Sequence, residues 1–234
     1  MRIKVTVAIA IAVVVVVAVI AAAVVSRKEG FAEEHKVCNS VYYFEIPGFL
    51  SHDECDDIVR ASKDMFPSQV GGGNTSVLDT SIRKSVQTWF APGKHPATDA
   101  LRQRTKDVVD SLGCVRVPFD FEDVQVVRYD KHGKYDAHYD GDECDGVCPY
   151  DQRLATMLVY LNDDFEGGHT HFPLLNASVV PQKGKALFFW VADADTRDLF
   201  EKTLHAGTPV SNGHKWIANQ WIRPARPARP AQRV

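Results

Sequence analysis

Between residues 124 and 222 the chain is cut into short β-rich runs, 124–129, 154–161, 168–172, 185–190 and 214–222, separated by turn-rich segments. Runs this short, bounded by Gly, Pro, Asn and Asp, predict an all-β barrel or sandwich. Two helical stretches come earlier. Ser51 opens the first with a capping-box pattern, Ser51-x-x-Glu54, that carries Ile58 and Val59 toward a core. Residues 96–112 form the second, amphipathic and ended by Gly113. Residues 41–46 and 86–90 are further strand candidates, and Gly71-Gly72-Gly73-Asn74 opens a flexible stretch to about Ser85. Helices followed by a run of strands specify an α+β chain whose helices brace one face of a β core. The natural architecture is the double-sheet jelly roll, a double-stranded β-helix that can hold a metal in its mouth.

The first 28 residues are a different material. Residues 5–25 carry no charge and are mostly Val, Ala and Ile, long enough to cross a bilayer as a helix. A cleaved signal peptide is the competing reading, with small residues at Ala21-Ala22-Ala23, although the apolar run exceeds a usual signal core. Flanking charge does not orient the segment, because Arg2 and Lys4 precede it while Arg27, Lys28 and Lys36 follow. Residues 29–40 then read as a linker, 41–223 as one catalytic domain, and 224–234 as a Pro-Ala-Arg tail, extended and disordered. The 234 residues, 45% apolar, suffice for one good-sized core. A formal charge of −3 gives no reason to expect a nucleic-acid surface. Five cysteines are too few for a disulfide scaffold; Cys144 and Cys148 can bridge in an oxidising compartment or ligate zinc, though no second pair stands nearby.

The chemistry-bearing set is His138-Tyr139-Asp140, then His205, then Lys215. Two imidazoles and one carboxylate are the protein ligands that hold a non-haem Fe(II) on one face and leave the other open. On a strand His138 and Asp140 share a face. So do Gln125, Val127 and Tyr129, and so do Lys215, Ile217, Asn219 and Trp221, with His214, Trp216 and Ile222 opposite. Alone, a His-x-Asp pair is usually a solvated surface pair. A lone strand lysine usually snorkels to water. The ordered conjunction argues otherwise. His169 and His171 form a rival pair, but no adjacent carboxylate completes a triad, and structural or surface roles are assigned to them.

Arg128-Tyr129-x-x-x-Gly133-x-Tyr135-x-x-His138-x-Asp140 resembles the first metal motif of the prolyl 4-hydroxylases. Residues 153–162, Gly167-Gly168-x-Thr170-x-Phe172, Pro181-x-Lys183-Gly184-x-Ala186-Leu187-x-Phe189, His205-Ala206-Gly207-x-Pro209-Val210 and Gly213-x-Lys215-Trp216 continue in that family's order. The resemblance covers roughly residues 41–223 and is nearest to the short single-domain enzymes of algae and large DNA viruses. It implies a dioxygenase dependent on Fe(II), 2-oxoglutarate and O2, with ascorbate as accessory reductant. His138, Asp140 and His205 would bind iron. Lys215 would pair with the distal carboxylate of 2-oxoglutarate, helped by the hydroxyls of Thr170 and Tyr129. Tyr135, Arg153 and Trp221 would line the peptide groove. The implied activity is hydroxylation of peptidyl proline at C4 in proline-rich or collagen-like segments, by a monomer tethered through its N-terminal helix with its domain in the endoplasmic reticulum lumen. The same chemistry on peptidyl lysine or a small molecule is the alternative. A non-catalytic membrane-tethered binding module is a third reading, which the intact ligand set disfavours. Residues 71–85 and 141–152 are lid candidates.

Overall fold

The computed structural model describes residues 41–71, 76–142 and 149–225. The apolar run at residues 5–25, Cys144 and Cys148, and most of the Pro-Ala-Arg tail lie outside these. Among the described residues no helix is long and apolar enough to cross a membrane.

In chain order the elements are β1 (Tyr43–Ile46), α1 (His52–Ala61), β2 (Phe66–Pro67), β3 (Arg83–Lys84), β4 (Val86–Phe90), α2 (Pro96–Leu112), β5 (Phe119–Phe121) and β6 (Val124–Tyr129). β7 (Lys134–His138), β8 (Ala155–Tyr160), β9 (Glu166–Gly167), β10 (Thr170–Phe172) and β11 (Ala177–Val179) follow. β12 (Ala186–Trp190), β13 (His205–Gly207), β14 (Val210–Asn212) and β15 (Lys215–Pro224) are the last elements among the described residues. An eight-stranded sheet runs β1-β12-β8-β15-β6-β4-β2, with β5 also on β15. A five-stranded sheet runs β11-β10-β13-β7-β3, and β14 pairs with β9. All pairings are antiparallel.

Side-chain alternation sorts the large sheet into two interiors. Met157, Val159, Ala186, Phe188, Val124, Val126, Ala218 and Ile222 form one core with Cys55 and Ile58 of α1 and Leu101 and Val109 of α2. Leu158, Tyr160, Leu187, Phe189, Val127, Tyr129 and Ile217 form the other, with Phe172, Val179 and Val210. The helices therefore brace one face and the small sheet closes over the other, as the α+β jelly-roll expectation required. The strand-face assignments hold as well: Lys215, Ile217 and Asn219 pair with Tyr129, Val127 and Gln125 in register.

Local chemistry explains the helix boundaries. Ser51 Oγ accepts from the Glu54 N–H at 3.1 Å and Glu54 Oε2 accepts from the Ser51 N–H at 2.8 Å. Glu54 also takes two hydrogen bonds of 2.8 Å from Arg104, which locks α1 to α2. Gly113 closes α2 with φ of 64°, a left-handed turn that glycine makes without steric cost.

Two boundaries differ from expectation. The stretch to Ser85 is not free throughout, because Arg83–Lys84 pairs with β7 and the Arg83 side chain is buried. The last strand outruns residue 223: Pro224 pairs with Phe119, and the Ala225 N–H donates to Pro118 O. Proline lacks a ladder donor but is tolerated where the strand ends.

Gly184 is a second glycine that the fold demands. Its φ is +79°, and a Cβ there would stand 2.3 Å from the Leu50 carbonyl oxygen. Its own carbonyl accepts from Leu50 N–H while its N–H donates to Tyr160 O. Gly184→Ala is expected to destabilise the chain by about 2 kcal/mol or more, since left-handed backbone alone costs roughly 1–2 kcal/mol and the Leu50 carbonyl must also move. A lower urea midpoint with unchanged slope is the expected result.

Candidate active site

Two adjacent inner strands of the small sheet bring the histidines together. β13 runs antiparallel to β7, and His205 is the register partner of His138. Asp140 follows two residues after His138. Their ligand atoms all lie within 4.8 Å of one another. His138 Nε2 is 3.6 Å and His205 Nε2 3.9 Å from Asp140 Oδ1.

Each imidazole is held by its other nitrogen. His138 Nδ1 is 2.8 Å from the Asp136 carbonyl, and His205 Nδ1 is 3.0 Å from the Thr203 carbonyl. A carbonyl only accepts, so Nδ1 carries the proton and the Nε2 lone pair faces Asp140. Burial, together with the neighbouring His138, lowers His205 to about 4, against the pull of Asp140. It is therefore a neutral ligand at neutral pH. Burial pushes the Asp140 carboxyl up, but the imidazoles of His205 and His138 and the Arg153 guanidinium beside it outweigh burial and hold it well below the usual carboxylate range.

The other oxygen of Asp140 belongs to the large sheet. Thr156 Oγ1 donates to Oδ2 at 2.6 Å, and Trp221 Nε1 donates to it at 3.0 Å. Thr156 and Trp221 are register partners on β8 and β15. Trp221, expected only as a groove wall, thus also orients the carboxylate. Arg153 lies 3.6 Å above the Trp221 ring and donates to the Asp140 carbonyl at 3.0 Å. Glu122 grips Arg153 at 2.6 and 2.8 Å and also accepts from Arg223. Tyr135 stacks on His138 with ring centroids 3.5 Å apart, beneath the Arg83 guanidinium.

Lys215 opens β15 opposite Tyr129 and is 2% exposed. Its Nζ stands 5.3 Å from the Tyr129 ring and 5.7 Å from the Tyr160 ring. Burial lowers its titration to about 7, and no carboxylate among the described residues offsets it. Tyr160 donates to Thr170 Oγ1 at 2.7 Å nearby, both groups buried. His138, Asp140, His205, Lys215, Tyr129, Thr170, Tyr135, Arg153 and Trp221 all line one cavity of about 900 Å³.

These residues fit the groups that the ligand pattern implies. Two imidazole nitrogens and one carboxylate oxygen, converging beside an open cavity, suit a divalent iron with free positions. A buried cation lacking a carboxylate suits the far end of a dicarboxylic keto acid. His169 and His171 stay out of this cluster: His171 Nδ1 meets Ser178 Oγ at 2.9 Å, and the His169 carbonyl accepts from Thr208 N–H.

Sequence reasoning did not single out Thr156, Tyr160 or Glu122. A signal for the first two existed. In the run 154–161, buried throughout, Thr156 and Tyr160 are the polar residues, and they share the face turned to the cavity. Glu122 carried none, because its two arginine partners are distant in sequence.

The profile of the 2OG-Fe(II) oxygenase superfamily matches residues 124–223. A protein of Acanthamoeba polyphaga mimivirus classed as a prolyl 4-hydroxylase is 35% identical over 191 residues, covering 77% of this chain and 73% of the relative. Prolyl 4-hydroxylase 2 of Arabidopsis thaliana is 30% identical over 207 residues, covering 76% of this chain and 66% of that protein. The viral collagen prolyl hydroxylase of Paramecium bursaria Chlorella virus-1, solved with 2-oxoglutarate, superposes with a TM-score of 0.71 at 46% identity. That match covers 81% of this chain and 99% of the other. With its cavity-lining triad, its buried lysine and these relatives, the chain belongs to the prolyl 4-hydroxylase family of 2-oxoglutarate- and Fe(II)-dependent oxygenases.

Proposed function

We propose that this chain hydroxylates peptidyl proline at C4 in proline-rich or collagen-like segments, consuming O2 and 2-oxoglutarate and releasing succinate and CO2. The observation that carries the reading is the meeting in one cavity of the His138, Asp140 and His205 donors with a buried, carboxylate-free Lys215. His138 and His205 hold iron through Nε2, and Asp140 holds it through Oδ1. Lys215 takes the distal carboxylate of 2-oxoglutarate, with the Thr170 and Tyr129 hydroxyls beside it. Iron and keto acid, when bound, supply the O2 activation that no side chain offers. The chain contributes orientation and exclusion of water.

Tyr135, Arg153 and Trp221 receive the peptide. Proline-rich chain arrives extended, with unpaired backbone and little ordering entropy left to lose, and aromatic walls suit it. Ascorbate is the accessory reductant. Residues 5–25 anchor the chain, with the catalytic domain in the endoplasmic reticulum lumen. The disulfide made by Cys114 supports an oxidising compartment.

Proline-rich peptides are expected to stimulate succinate release and gain one oxygen atom on proline, whereas lysine-containing controls do neither. Hydroxylation of the lysine peptides would overturn the substrate assignment.

Removing Lys215 leaves a buried carboxylate unpaired. Lys215→Ala is expected to weaken 2-oxoglutarate binding by about 2–5 kcal/mol, roughly 30-fold to several thousandfold. The pH dependence follows from the same pair. Free Lys215 titrates at about 7, and a bound carboxylate raises that value. Below it the ammonium is already present and affinity is flat. Above it, binding takes up a proton and affinity falls by about tenfold per pH unit until the raised pKa is reached. Calorimetry near pH 8 in buffers of different ionisation heat reads this uptake directly.

Thr156→Val removes one of the two donors that turn Asp140 Oδ2 away from the metal. Fe(II) affinity is expected to drop by about 10–100-fold, with Thr156→Ser retaining most of it. Equal affinity in both variants would contradict the role.

A further inference from the structure

The Pro-Ala-Arg tail is the sequence motif that the reaction has not absorbed, and the strand leading into it ends at the rim of the active-site cavity. Ala225 is held on both sides: its N–H donates to Pro118 O at 2.7 Å, and its carbonyl accepts from Tyr150 Oη at 3.1 Å. Beside it lies a second hollow of about 500 Å³, lined by Asp120 and Phe121 and sharing Glu122, Asp151 and Arg223 with the main cavity. From Arg223 a relay of contacts leads inward. Arg223 Nε donates to Glu122 at 2.5 Å, Glu122 accepts from Arg153, and Arg153 donates to the Asp140 carbonyl at 3.0 Å. Two side chains therefore separate the last strand's Arg223 from a residue of the donor triad.

Charge and length both suit one occupant. Asp120, Asp142 and Asp151 are exposed along this rim; the Asp151 carbonyl accepts from Arg223 Nη1, while its carboxylate stands 3.9 Å from that guanidinium. Residues 226–234, which lie outside the described residues, carry Arg226, Arg229 and Arg233 and no acidic side chain. They also carry Pro227 and Pro230, two and five residues beyond Ala225. Polyproline II advances about 3.1 Å per residue, so a segment in that form would carry a proline five residues on roughly 15 Å from the fixed point. A tethered segment meets its own cavity at an effective concentration on the order of millimolar, which favours it over a second copy at ordinary dilution.

We propose that residues 226–234 enter the peptide groove of their own molecule and that Pro227 and Pro230 are hydroxylated there. The tail is thus a self-substrate and a competitor for incoming peptide. This rests on the prolyl hydroxylation reading. In each turnover one atom of O2 enters a proline C4–H bond as hydroxyl. The other enters 2-oxoglutarate, which leaves as succinate and CO2. Pro224, paired with Phe119 in β15, is withheld from the site and serves as an internal control.

The test incubates the full chain with Fe(II), 2-oxoglutarate and O2, then maps the tail by mass spectrometry. Trypsin does not cut before proline, so residues 216–233 remain one peptide. The expected result is an added oxygen on Pro227 or Pro230 and none on Pro224, at a first-order rate independent of protein concentration. A chain ending at Ala225 and a Pro227→Ala/Pro230→Ala variant should both show severalfold lower KM for a free proline-rich peptide, with kcat unchanged. Turnover of the free peptide with no oxygen on the tail and the same KM in both variants would overturn the proposal and leave the prolyl hydroxylation reading standing. A tail rate proportional to protein concentration would overturn the intramolecular claim. Failure of free peptide and tail alike would overturn the prolyl hydroxylation reading itself.

Discussion

Asp140 is where the two sheets of this fold meet electrostatically. Its Oδ1 faces the imidazoles of β7 and β13, and its Oδ2 takes hydrogen bonds from Thr156 on β8 and Trp221 on β15. A buried carboxylate is costly unless its lone pairs are occupied. Here two donors satisfy one oxygen and leave the other to the histidines. The geometry survives only if the small sheet closes over the large one in the observed register. A one-residue slip of β15 would turn Trp221 and Lys215 out of the cavity together.

Lys215 carries a second cost of burying charge, and this one has a use. An ammonium buried between tyrosine rings with no carboxylate is held there by packing, and burial lowers its titration to about 7. A ligand bringing a carboxylate relieves that penalty, so binding energy comes from a cost that folding has already met. The Tyr160 and Thr170 hydroxyls, bonded to each other, provide polar company in an otherwise apolar interior. The donor triad and the buried Lys215 together explain why this cavity suits an oxidation more than simple peptide capture.

Much of this was legible in the residues. The capping box at Ser51, the stop at Gly113 and the period-2 alternation of β6 and β15 are local signals, each with a local physical cause. His138 and His205 meet as register partners of β7 and β13, Asp140 follows two residues past the end of β7, and Lys215 opens β15. The short strands β9, β11 and β14 were not legible, because two or three residues carry no period and form only when partners arrive. Arg83 read as part of a loop for the same reason: β7, distant in sequence, makes it a strand and buries it. Glu122 stayed hidden because its role lies in hydrogen bonds to Arg153 and Arg223, far along the chain, which spacing along one strand does not encode.

The most direct test of the account is a crystal structure of the chain with Mn(II), 2-oxoglutarate and a proline-rich peptide under anaerobic conditions. The account predicts a metal bound by His138 Nε2, His205 Nε2 and Asp140 Oδ1 alone among protein atoms. Oδ2 should still be held by Thr156 and Trp221, and the distal carboxylate should rest on Lys215. Bidentate ligation by Asp140, or a keto acid turned away from Lys215, would contradict it.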